Sequence, residues 1–148
     1  ENFMTTYLEV TQALISAGLL SEADREAAAA VLRDHLIVAE AEETKAFAEE
    51  DMDYQDKVIA DARDLAEIDL EMGQIEDRFI QADVINAATS LKESDMDKID
   101  EADAYIAMAY EEAAAALLAA LLIEKTHVEA TINIITEIWV TTEEDETK

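Results

Sequence analysis

Only two histidines occur among the 148 residues, and both fall on apolar faces of a helical pattern. Glu124 precedes His127 by three residues. At about 100° per residue the two lie about 60° apart around a helix, while His127 points about 160° from Lys125, so it faces the core. His35 faces inward by the same test, and Glu42 follows two turns later on that face. Imidazoles and carboxylates together form a donor set for iron, manganese or zinc. If the helices that carry them are neighbours, Glu124, His127, His35 and Glu42 converge as a metal site. The competing reading, which the sequence favours, makes each histidine a core residue hydrogen-bonded to a carboxylate on a neighbouring turn, with no cofactor.

The Glu124-x-x-His127 spacing resembles that of the ferritin-like di-metal proteins, which project such pairs into the core of a four-helix bundle. That family has Glu-x-x-His on two helices and a lone Glu on each of the other two. Here the second pair is missing, because Leu32 stands three residues before His35. Asp61, Asp69 and Glu76 are bridging candidates, but none sits on an apolar stripe. The resemblance implies a carboxylate–histidine metal bundle. The acidic runs at 40–43, 49–53 and 143–146 lack the spacing and the glycine of a calcium loop and read as solvated faces. No serine stands in a defensible Ser–His–Asp arrangement, and there is no nucleotide loop, so catalysis is not expected. Tyr105, Tyr110 and Trp139 are expected at helix contacts.

The elements that would position these residues are helices. The chain has no proline and two glycines. An amphipathic stretch over 4–17 ends at Gly18, and Met4 reads as a native start after three added residues. Ser21 has N-cap chemistry, with Asp24 three residues on, and opens a helix over 22–50 with Ala28, Val31, Leu32 and Val38 on its stripe. A turn is placed within 49–57 on length alone. From 53 to 89, Val58, Leu65, Met72 and Phe79 recur at sevens, with Ile68, Ile75 and Ala82 between them. That pattern keeps its phase through Gly73, which reads as an interior residue. A break at 89–94, capped by Ser94, opens a last helix over 94–140. The expected fold is therefore all-α: an antiparallel bundle of three long helices plus one short N-terminal helix, similar in plan to a four-helix bundle. Residues 1–140 form one domain and 141–148 an acidic tail. No repeat of fixed period stands out, and the likeness of GLLSEAD to SLKESDMD reflects shared helix–turn–helix grammar.

Composition bounds the partners. Thirty-seven acids against ten bases leave a formal net charge of −27. Such a surface repels nucleic acid and anionic membranes and attracts cations or basic proteins. The apolar run 113–123 is shorter than the roughly 20 residues a membrane span needs. It is apolar all round, which predicts a homo-oligomer that covers part of it. The absence of cysteine excludes disulfides and thiolate metal sites and leaves the redox compartment open; no secretory apolar segment stands at the N-terminus, and the expected location is cytoplasmic. Three functions compete. The first and preferred is a non-enzymatic acidic helical protein that binds a basic partner, as an inhibitor or a mimic of nucleic acid. The second is the metal-binding bundle, and the third an ordinary domain with a halophilic type of acidic surface.

Overall fold

The structure, a computed structural model, describes residues 2–147, with side chains from Tyr7 to Trp139. The side chains at positions 1–6 and 140–148, and with them the reading of Met4 as a start, lie outside that description. The described residues are helical, with no strand among them. The helices are α1 Asn2–Ser16, α2 Arg25–His35, α3 Ala39–Glu71, α4 Ile75–Ala119 and α5 Val128–Thr147. They form two compact units, residues 1–38 with 106–148, and residues 39–105, with the division falling inside α4.

These boundaries differ from the sequence expectation at several places, among them the end of α4 at Ala119, inside the helix expected over 94–140, and the run of α5 to Thr147. α3 runs unbroken through 49–57, and α4 runs unbroken through 89–94. The expected first long helix stops at His35, because Leu36 and Val38 are both buried as anchors and the Tyr7 hydroxyl donates to the Leu36 carbonyl at 3.2 Å. Gly73 is a boundary after all: it adopts φ +75° and ends α3.

The first unit is built twice over. After α1, the amide of Gly18 donates to the Ile15 carbonyl and that of Leu19 to the Leu14 carbonyl. After α4, the amide of Leu121 donates to the Leu118 carbonyl and that of Leu122 to the Leu117 carbonyl. Both are Schellman caps, which satisfy the last helical carbonyls through one left-handed residue. A short 3-10 turn then leads into the next helix in each copy, at 22–24 and 125–127. Burial repeats in step: Tyr7, Val10, Leu14, Leu20, Leu32 and Leu36 in the first copy match Tyr110, Ala113, Leu117, Ile123, Ile135 and Trp139 in the second. The two copies share one core, in which Trp139 packs 5.9 Å from Tyr7 and 6.3 Å from Tyr110 between ring centroids. Ala113, Ala114, Leu117 and Ile123 are buried in this unit, so one face of the apolar run finds cover within it.

The copies differ at the left-handed position. Gly18 has φ +78°, whereas Leu121 has φ +60° and is 87% exposed. A side chain with a β-carbon is disfavoured there by about 1–2 kcal/mol, and Leu121 recovers little through burial. Leu121→Gly is therefore expected to stabilise the first unit by about 0.5–1 kcal/mol, after allowing for the looser unfolded chain. Urea titration followed by Trp139 fluorescence would check this, and a lower midpoint in the variant would rule it out.

The second unit is an antiparallel pair formed by α3 and the first part of α4. Lys45 pairs with Asp103 at 3.0 Å and Lys92 with Asp56, which fixes the register. The seam is made of small and polar residues at heptad spacing: Ala48, Gln55, Ala62 and Asp69 on α3, with Ala88, Asp95 and Ala102 on α4. This register sets Ala48 against Ile99, Ala62 against Ile85 and Ala88 against Ile59, each small residue opposite a large one. The heptad of bulky residues lies elsewhere. Leu65, Ile68, Met72, Ile75 and Phe79 are all exposed, and only Val58 is half-buried.

Candidate functional site

The four residues proposed from the sequence as metal ligands are not brought together as a group. Glu124 is not on a helical face; it is the extended residue before the 3-10 turn, at φ −83° and ψ 150°, and is exposed. His127 closes that turn and is half-buried. Its amide donates to the Glu124 carbonyl at 2.9 Å, its carbonyl accepts from the Thr131 hydroxyl at 2.7 Å, and its Nδ1 is buried with no hydrogen-bond partner. His35 is exposed, with Nδ1 2.9 Å from the Val31 carbonyl one turn back. Glu42 belongs to the second unit, near the start of α3. Among the described residues no three His, Cys, Asp or Glu side chains are grouped so as to hold a metal.

Glu124 and His127 do line one cleft of about 640 Å³, formed where the two Schellman turns of the first unit come together. Because the unit is duplicated, the cleft is lined by matched positions: Gly18 with Leu121, Ser21 with Glu124, and Asp24 with His127. Ser21 is occupied as a cap, its hydroxyl accepting from the Ala23 amide at 3.3 Å. The cleft offers carboxylates, one imidazole and the Lys125 ammonium over a leucine floor, a set able to bind a polar group. It holds no nucleophile with a base beside it.

A smaller cleft of about 340 Å³ sits between α1 and α2, lined by Tyr7, Leu8, Ala29 and Ala30 with Arg25 and Arg33 at its sides. Arg25 is tied to Gln12 at 2.7 Å and to Glu22 at 3.3 Å. Sequence reasoning passed over this pair. The available signal was that two of only ten bases recur two turns apart, around an alanine run.

The hairpin carries most of the charge. Residues 39–105 contain 22 acidic residues against 6 basic ones. Two acids are buried inside the seam, Asp69 and Asp95; the Asp95 carboxyl is pushed above its ordinary value of 3.8 by the hydrogen bond of Asp51, by burial and by the charge of Asp51, with Lys98 opposing. The side chain of Gln55 donates to Asp51 at 3.3 Å, so Asp51, Gln55 and Asp95 form one polar cluster across the seam.

No family model, curated protein or solved structure matches the chain.

Proposed function

We propose that this chain is a non-enzymatic acidic helical interaction protein that binds a basic protein partner, as an inhibitor or by imitating the phosphate array of nucleic acid. The observation that carries this reading is the hairpin of residues 39–105, where 22 acidic side chains are set along paired helices. Helical spacing repeats these carboxylates every turn on a fixed scaffold, which suits a partner bearing regularly spaced cations. The ion pairs Lys45–Asp103 and Lys92–Asp56 within the hairpin offset part of this charge. The surplus negative field is available to a partner.

The metal reading keeps one supporting observation, the unpartnered Nδ1 of His127 beside Glu124 in the turn cleft. Convergence with His35 and Glu42 has no support among the described residues, where no three His, Asp or Glu side chains are grouped so as to hold a metal. The homo-oligomer rests on the part of 113–123 that the first unit leaves uncovered, since Ala115, Ala119, Ala120 and Leu121 are exposed while Ala113, Ala114, Leu117 and Ile123 are buried.

The test is binding to a lysine homopolymer of about 20 residues across a salt series. Binding should be tight at low salt and weaken steeply as salt rises, because exposed charges are screened beyond about 8–10 Å at physiological ionic strength. A halophilic type of surface predicts instead that the melting temperature climbs with salt and levels off only above about half-molar. Absence of binding at low salt, with strong stabilisation by salt, would replace the first reading with the third.

A further inference from the structure

The hairpin has two heptad seams, and only one is used. The first holds α3 to α4 through Ala48, Gln55, Ala62, Ala88, Asp95 and Ala102. The second runs along one flank. In an antiparallel pair the positions beside the seam on a given side are contributed by both helices. On this flank Val58 of α3 lies across from Leu91 of α4, and Leu65 across from Val84. Ile68 and Ile80 extend it outward. Asp51 and Lys98 continue the same flank further along, one heptad from Val58 and Leu91. Leu65, Ile68, Ile80 and Leu91 are 47–57% exposed and Val84 is 36% exposed. The opposite flank holds the Asp56–Lys92 and Asp103–Lys45 pairs with Glu49 and Arg63, and its exposed apolar side chains, Leu70 and Met96, stand apart on opposite helices rather than across from one another.

An apolar stripe at heptad spacing is the shape that receives another helix, by knobs entering holes. The edges of this stripe decide what that helix carries. Asp61, Asp64 and Glu71 border it on α3, and Asp83 and Asp97 on α4, with Lys57 the one base among these outer positions. A second copy of the chain would bring the same acids against these and be repelled. A helix with an apolar stripe and lysine or arginine on its borders matches both the face and its charge. We infer that this flank of the hairpin is the docking surface for a basic amphipathic helix of a partner protein. The inference rests on the proposed function and gives it a location and a partner chemistry. The stripe from Tyr54 to Met72 spans roughly 27 Å at 1.5 Å per residue, which about five turns of a partner helix would cover.

The experiment uses the full chain and two synthetic 21-residue peptides of the same composition. One places leucine at heptad positions a and d with lysine elsewhere; the other scrambles them so that no apolar face forms. Fluorescence anisotropy at physiological salt should show the patterned peptide binding at least about tenfold more tightly than the scrambled one. A double variant, Leu65→Ser with Val84→Ser, should lose that difference while retaining its helical circular dichroism and its affinity for the scrambled peptide. Equal binding of both peptides to the wild-type chain would overturn the docking face and leave the charge reading standing. Binding of neither would overturn both. A wild-type dimer in sedimentation that the double variant disperses would assign the face to a second copy and overturn the inference.

Discussion

Leu32→Ala and Ile135→Ala should each destabilise the first unit by about 2–5 kcal/mol, and by similar amounts. Both side chains are fully buried, and they occupy matched positions in the two copies of the helix–turn–helix. Truncation removes apolar surface and leaves a cavity that close-packed neighbours fill only in part. The measurement is direct, because the single tryptophan, Trp139, is buried in this core against Tyr7 and Tyr110. Its fluorescence in urea reports the first unit, while circular dichroism reports both. The expected result is a lowered midpoint of the Trp139 transition in each variant. A cost below about 1 kcal/mol at one position and not the other would show that the matched burial is not matched packing.

Acidification from neutral pH toward 3.8, the ordinary aspartate value, should add a stabilising contribution from Asp95, and Asp95→Asn should remove that part of the pH dependence. Asp95 has a folded-state pKa above 3.8 because its charged form faces Asp51 across a seam from which water is largely removed. The folded chain therefore holds the Asp95 proton more tightly than the unfolded chain. The stability this gives is fully present below 3.8 and is lost as pH rises through the raised folded value. At neutral pH the wild-type seam holds two facing carboxylates, whereas an asparagine at 95 can donate to Asp51 without that repulsion. The variant should melt higher than wild type at pH 7 and converge with it in acid. A variant that melts lower at pH 7, with an unchanged pH profile, would show that the carboxylate of Asp95 is required by some other contact.

What could be read from the sequence was the class of fold and the cores of single helices. Ala28 and Leu32, on the apolar stripe read from the sequence, are buried on α2. Helix ends were harder. Two residues with helix-breaking chemistry, Gly18 and Gly73, mark real ends, but Gly73 was discounted because the bulky heptad passes through it in phase. That heptad is genuine and lies on the outside. The buried seam is written in alanine, glutamine and aspartate, which an argument based on the size of apolar side chains passes over. The placing of Glu124 and His127 on one helical face rests on the same kind of assumption, whereas an end of helix falls between Ala119 and Val128 and places them in a turn. Nothing marks that end chemically, because Leu121 stands where the matching turn has glycine. The duplication was hidden for the same reason, since its most diagnostic residue has been replaced in one copy.

The split of the first unit around the hairpin has a consequence for the order of folding. Its two copies are separated in sequence by all of residues 39–105, so joining them directly would require closing a long loop, which is slow and entropically costly. The hairpin removes most of that cost. Its contacts can form in succession from the tight turn at Gly73, each step closing only a short segment, until Lys45 meets Asp103. At that point the ends of the intervening chain are already together, and the loop that remains is a few residues long. On this route the acidic hairpin acts as an intramolecular clamp for the core, and substitutions along its alanine seam would slow the appearance of buried Trp139 even though they lie in the other unit.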